Sequence, residues 1–295
     1  MLGVYLLGRH YKLSQPAAII SSFVFMLSSM YALSITAGMV IFLTIAYIPW
    51  VILYYLKSFY NLRYGFLSSL FCVLMFFEGG VCQLIITLTF LMTYSCLSIF
   101  CKEHRAVQVG KVLAVILVLT FCLGAVKFLP SIELMHKYPR LMEKDYSGFS
   151  LNSLRYSLLG RDQTLAAIEK LPRDERGFVN GVSYFMDENG MYIGVIPFLL
   201  FLIGMLFHPK RARVLALCFI IFLWLGFGNR IPISLWELLH KLPIYNQTRV
   251  AQRYRLVFML CLSIFVGFGF QKVKDYIWQI SADKVVVQPF ALSVI

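Results

Sequence analysis

The chain has 295 residues, of which 60% are hydrophobic and only 14% charged, and its mean hydropathy is +0.76. Soluble domains are about half apolar and a quarter charged, so a soluble fold of this length could not cover its apolar surface. The net charge of +13 comes with no basic stripe interleaved with aromatics; that argues against a nucleic-acid partner and for turns that face anionic lipid headgroups.

In chain order, the residues before Ser14 are too few to span a bilayer and read as the tail of a helix whose beginning is absent. Apolar stretches follow at Pro16–Ser34, Ala37–Leu56, Tyr64–Phe77, Val81–Phe100, Lys111–Leu129, Met191–Phe207, Arg213–Phe227 and Leu256–Val273. None alternates with a two-residue period, so these are expected to be helices and not barrel strands. The predicted fold is an all-α polytopic transmembrane bundle of about eight spans, forming a single domain. Pro49 is expected to kink the second span, because it removes a backbone donor from the helix interior.

Two polar regions interrupt the spans, at about 130–190 and 228–255. Leu151, Leu154, Leu158 and Leu159 recur at helical spacing in the first. Ile231, Leu235, Leu238, Leu239 and Leu242 mark one face in the second. Each is read as a short helix, lying flat at the membrane surface or packed on other loops. The seven cysteines lie in or beside apolar stretches without CxxC spacing, so neither a disulfide framework nor a metal site is expected.

Loop charge sets an orientation. Arg9 and Lys12, Lys57 and Arg63, Lys102 and Arg105, Lys210 and Arg211, and Lys272 and Lys274 fall on alternate turns. The turns between, at Ile35–Thr36 and Glu78–Gly80, have no Lys or Arg. The positive-inside rule then makes the basic turns and both termini of this chain cytoplasmic, in a cell membrane, with both polar regions outside.

The polar groups with chemical potential gather on that outer side. Arg249 and Arg253 stand four apart; on an α-helix they share a face, where two guanidinium forks can grip a phosphate or simply anchor the helix end at the interface. Glu78, beside Gly79 and Gly80, is either a site carboxylate or an interfacial acid in water. Glu133 and His136 are three apart and can face the same way, which suits acid/base work or an ordinary solvated loop. Asn246-Gln247-Thr248 fits a glycosylation triplet, a weak signal.

Several segments in order resemble the YfhO family of bacterial multi-pass membrane proteins, relatives of the GT-C glycosyltransferases. GVYLLGRHYKLSQPAAIISSFVFMLSS is similar to the family's helix, short turn and next helix. EGGVCQ resembles its Gly-Gly-His-Pro-Gln turn, keeping Gly79, Gly80 and Gln83, with Val81 and Cys82 in place of His and Pro. LPSIELMHKYPR matches a Leu-Pro-x-x-Glu-Leu…Arg segment through Pro130, Glu133 and Arg140. NGMYIGVIPFLLFLIG is similar to its Tyr-x-Gly approach to a span. LPIYNQTRVAQRYR resembles its Arg-x-Pro-x-Arg segment, with Arg249 and Arg253 kept and Ala251 replacing Pro.

The resemblance implies transfer of a sugar from a polyprenyl-phosphate donor to an envelope polymer or lipid outside the membrane, with no cofactor. It implies a lipid-phosphate grip by Arg249 and Arg253, with Arg140 assisting, and a catalytic acid in an outer loop. Within this chain the catalytic residue is open, with Glu78 and Glu133, expected to orient groups nearby, as the candidates. Family members are much longer and begin with a span and an acidic outer loop not found here, so the chain is expected to be a fragment without activity of its own. Two other readings stay open: a non-catalytic membrane partner subunit, and a lipid or polysaccharide transporter. The near-absence of charge at mid-span counts against the transporter.

Overall fold

The computed structural model describes residues 1–138, 148–163, 178–179, 182–183, 189–242, 245, 248 and 250–287. Twelve α-helices are found among them: α1 (Leu2–His10), α2 (Gln15–Leu27), α3 (Ser29–Thr36), α4 (Ile48–Ser58), α5 (Tyr64–Phe77), α6 (Val81–Phe100), α7 (Ala106–Lys137), α8 (Leu151–Leu159), α9 (Val195–Leu206), α10 (Arg213–Gly226), α11 (Leu235–His240) and α12 (Arg255–Val287). Turns of 3-10 helix precede α4 at Val40–Tyr47, α10 at Lys210–Ala212 and α12 at Ala251–Tyr254. The strands β1 (Phe178–Val179) and β2 (Val182–Ser183) form a minimal antiparallel pair.

Five helical stretches among the described residues are long and apolar enough to cross a membrane: Gln15–Thr36, Val40–Ser58, Val81–Phe100, Ala106–Leu134 and Ala251–Ile280. A sixth forms if α9 and α10 count as one stretch bent by 112° at the break between Leu206 and Lys210. The remaining apolar helix, α5, has 14 residues. At 1.5 Å per residue it reaches about 21 Å, short of a hydrocarbon core of about 30 Å.

The last long stretch is the hub. Of its apolar window 78% is buried, against 22% for that of α7, so α12 runs through the middle and α7 lies at the rim with Val118 and Val126 turned outward. Helix α12 packs on α9, α2 and α10. A Cβ added to Gly204 of α9 would stand 1.8 Å from the Phe265 carbonyl oxygen, and one on Gly269 of α12 would stand 1.8 Å from that of Leu200. The two backbones therefore touch, which is how apolar helices gain contact where no hydrophobic difference between lipid and side chain drives them together.

Several boundaries depart from expectation. Helix α7 continues through Pro130 to Lys137, so Glu133 and His136 are helical and the polar region starts later. Pro49 kinks no helix interior: it lies in the first turn of α4, where its missing N–H removes no intrahelical bond, and the preceding residues wind as 3-10 helix. The first span breaks at Ser28, whose extended backbone separates α2 from α3. In α11 the buried anchor is Trp236, while Leu238 and Leu242 are exposed.

Candidate functional site

The bundle has two polar ends. His10, Lys12, Tyr60, Glu103, Lys210 and Arg211 line one cavity, so four of the basic turns meet at a single end. The opposite end carries Glu78 and the chain before α12.

The Glu78 end is organised by the 3-10 segment Val40–Tyr47. At three residues per turn, side chains three apart eclipse one another along one face. Ile41, Thr44 and Tyr47 form such a row, and the row meets the α5–α6 turn residue by residue. Ile41 faces Gly79, whose added Cβ would stand 3.5 Å from Ile41 Cγ2. Thr44 faces Gly80, where a Cβ would come 2.5 Å from Thr44 Oγ1 and 2.9 Å from the Met75 carbonyl oxygen. Tyr47 donates its phenolic hydrogen to the Glu78 carboxylate. Gly79 takes φ of +92°, which only glycine adopts readily. Lys127 of α7 closes the end of α5 by donating to the carbonyl oxygens of Phe76 at 2.7 Å and Phe77 at 3.1 Å; a cation there also suits the helix dipole.

The neighbouring face of the same 3-10 segment receives Arg253. Its guanidinium carbon lies 5.6 Å from the centre of the Phe42 ring. Thus the carboxylate of Glu78 and the cation of Arg253 are brought to one short platform. Inside the platform, Gln83 in the first turn of α6 is 1% exposed, and neither end of its amide has a hydrogen-bond partner among the described residues. Gln252 is equally buried, with its amide oxygen unpaired. Such groups are rare in native interiors. Tyr245 meets Thr89 hydroxyl to hydroxyl at 2.8 Å, and His240 meets the Thr248 carbonyl oxygen at 2.7 Å through Nε2. These contacts tie the region before α12 to α6 and α11.

No family description, curated protein or solved structure matches the chain. The site's chemistry therefore rests on its own residues.

The residues singled out from sequence fare differently. Glu78 and Arg253 each contact the Val40–Tyr47 segment, Glu78 at Tyr47 and Arg253 at Phe42. Arg249 and Arg140, like Asn246 and Gln247, lie outside the described residues. Arg253 sits in 3-10 helix and not in α12, so the shared α-helical face expected of residues four apart does not apply at this position. Glu133 turns to Lys137, one helical turn on, at 2.7 Å, and not to His136; both partners of that pair are exposed. Arg255 is wholly buried and engaged within the protein. Tyr47, Thr44, Phe42, Gln252 and Lys127 were not anticipated. For Thr44 and Tyr47 the signal is their three-residue spacing with Ile41, which is invisible when the segment is read as α-helix; Phe42, Gln252 and Lys127 carry no such signal.

Proposed function

We propose that the chain is a GT-C-like membrane sugar transferase, or part of one, working at its Glu78 end. The observation that supports this reading is that an acid, Glu78, and a cation, Arg253, both contact the Val40–Tyr47 platform, through Tyr47 and Phe42. In the proposed reaction, a hydroxyl of the acceptor gives its proton to Glu78 as its oxygen bonds to the anomeric carbon of the sugar. The bond from that carbon to the phosphate oxygen breaks, and its electron pair leaves with the polyprenyl phosphate. Arg253, with Arg249 and Arg140, neutralises the departing phosphate through charge-assisted hydrogen bonds. Tyr47 orients the carboxylate. Glu133 is bound to Lys137 and is the weaker candidate base.

The same reading takes all eight apolar stretches as crossings, with α5, α9 and α10 sheltered by longer neighbours or matched by local thinning of the bilayer. The basic end and both termini then face the cytoplasm of a cell, and the Glu78 end faces out.

Donor binding tests the reading directly. The purified chain in phosphatidylcholine nanodiscs is titrated with a short-chain polyprenyl-phosphate sugar. Saturable binding is expected, weakened at least about tenfold by Arg253→Gln, since a hydrogen bond to a charged group contributes about 1.5–3 kcal/mol. Arg63→Gln, an exposed cation at the opposite end of α5 from Glu78, should leave it intact. Absence of saturable binding, or equal weakening by both variants, refutes the proposal.

A further inference from the structure

The basic end of the bundle holds a cavity of about 560 Å³. Its wall is built from four turns far apart in sequence: α1 to α2, α4 to α5, α6 to α7, and α9 to α10. Lys12, Lys210, Arg211 and Arg213 line it against one carboxylate, Glu103. Among the described residues no acid stands within 4 Å of any of these four cations. Glu103 and Arg213 do attract one another at longer range, which leaves Lys12, Lys210 and Arg211 without a compensating charge.

Positive-inside topology accounts for basic turns, but it asks only for charge near the interface and is satisfied by side chains that splay into water. Three features here go further. First, the cations, each solvent-exposed, converge on one open cavity. Second, Lys210, Arg211 and Arg213 crowd the start of α10, where the unpaired N–H groups and the helix dipole already favour an anion and disfavour cations. Third, the floor contains Tyr11, 3% exposed, whose shielded hydroxyl makes no hydrogen bond within normal range. Its polar neighbour is Tyr94, on the same wall. The Tyr94 hydroxyl is the one partner in reach among the described residues, at longer than normal range, so a ligand oxygen at the cavity floor would offer Tyr11 a better acceptor.

Lys12 adds a fourth point. It closes α1 in a left-handed conformation, φ +62°, with its N–H donating to the Arg9 carbonyl oxygen and that of Leu13 to Gly8. This helix ending normally employs glycine. A lysine there is strained, and what it supplies that glycine lacks is a cation at the cavity mouth.

We propose that this cavity binds a phosphate-bearing anion, held by Lys12, Lys210, Arg211 and Arg213 and hydrogen-bonded by Tyr11. The ligand chemistry is a phosphate mono- or diester, from a lipid headgroup or from a soluble phosphate compound. The site is separate from the Glu78 end and does not depend on the transferase reading.

The experiment uses the whole chain in phosphatidylcholine nanodiscs and reads thermal unfolding and ligand stoichiometry. One arm adds phosphatidylglycerol to the nanodisc. The other adds glycerol 3-phosphate, or inorganic pyrophosphate, to the solution. Saturable binding of about one ligand per chain, with a rise in unfolding temperature, is expected in at least one arm, and the arm that responds identifies the source. The Arg211→Gln/Arg213→Gln double variant should weaken it at least about tenfold. Arg105→Gln, a cation at the same end that does not line the cavity, should not. Tyr11→Phe should weaken binding severalfold and yet raise the unfolding temperature of the ligand-free protein, because it removes the poorly bonded hydroxyl. That opposition keeps the test sound if the double variant folds poorly. No response in either arm overturns the proposal. So does equal weakening by Arg105→Gln, or Tyr11→Phe that stabilises without touching affinity.

Discussion

The guanidinium of Arg253 stands over the ring of Phe42, 5.6 Å from its centre, although more than two hundred residues separate them. Phe42 is buried and Arg253 half-buried. The ring fixes the plane of the cation, an arrangement suited to arginine and not to lysine. Phe42→Leu is expected to keep the apolar filling and lose the quadrupole. It should cost about 0.5–1 kcal/mol of stability and weaken polyprenyl-phosphate binding severalfold. Arg253→Lys should weaken binding nearly as much as Arg253→Gln. Titration in nanodiscs checks both; wild-type affinity in Arg253→Lys would mean that only net charge matters. Arg255 is no surface control for such a series. It is wholly buried, and its removal is expected to lower the yield of folded protein.

Gly80 tests the platform itself. A methyl group there would meet Thr44 Oγ1 at 2.5 Å and the Met75 carbonyl oxygen at 2.9 Å. The first neighbour is a side chain and the second is backbone, so shrinking Thr44 relieves only part of the clash. Gly80→Ala should destabilise by about 1–3 kcal/mol, the usual range for overpacking, and should detach Tyr47 from Glu78. Gly80→Ala/Thr44→Ala should recover part of the loss and not all of it. Thermal unfolding in detergent measures the series. A neutral Gly80→Ala would show that the turn has room that the structure denies it.

At the other end, Lys102 closes α6 in the left-handed conformation, φ +58°, with the same pair of backbone bonds that Lys12 makes for α1. Left-handed backbone costs a residue with a Cβ about 1–2 kcal/mol. Lys102 does not line the basic cavity, so nothing but topology is at stake there. Lys102→Gly is expected to stabilise the protein by about 1 kcal/mol, while Lys102→Ala should not. Unfolding temperatures of the two variants separate relief of strain from loss of charge.

His104 stacks flat on Phe59, ring centres 4.0 Å apart, and burial lowers its pKa from the ordinary 6.5. The unfolded chain therefore takes up a proton at a pH where the folded chain does not. The contribution of the neutral ring is complete above about pH 6.5 and is lost as pH falls through the folded value. His10 is lowered as well, by burial first and then by Lys57 and Arg211. The unfolding temperature should drop between pH 7.5 and 5.5, and His104→Gln should flatten that drop. An unchanged pH profile in the variant would assign the loss to other groups.

How much of this was legible in the sequence depends on punctuation. Tyr64–Phe77 and Val81–Phe100 were read to the residue because Glu78-Gly79-Gly80 stops one helix and starts the next. The end of α7 was missed because Pro130 removes a single hydrogen bond, and the flanking residues keep the helix going to Lys137. The burial of Arg255 is not legible from sequence, because a helix apolar all round looks the same whether its neighbours are lipid or protein; only packing reveals that α12 is central. The Ile41, Thr44 and Tyr47 row was hidden by assuming 3.6 residues per turn where the chain winds at three. The basic cavity was half visible: Lys12, Lys210 and Arg211 stand out as basic turns, but the part played by Glu103 and Arg213, and the convergence of all five, are properties of the fold.

The orientation of the bundle yields the last prediction. Phe149, just before α8, donates its N–H to the carbonyl oxygen of Gly226, at the end of α10. Arg213, at the start of α10, lines the basic cavity. Fourteen residues lie between those ends, about 21 Å of helix, so α8 and the basic turns occupy opposite ends of the bundle. If loop charge sets the topology, α8 is outside the cell and the turn containing Asn61 is inside. In a background with all seven cysteines replaced, Asn152→Cys and Asn61→Cys place one thiol at an exposed position on each side. The background is feasible because Cys72, Cys218 and Cys261 are buried, unpaired thiols that alanine replaces at the cost of a small cavity. An impermeant maleimide applied to intact cells is expected to label Asn152→Cys, and to label Asn61→Cys only after lysis. The reverse pattern would turn the bundle over, place the Glu78 end in the cytoplasm and remove transfer outside the membrane from consideration. Labelling of both in intact cells would mean that the chain does not hold one orientation.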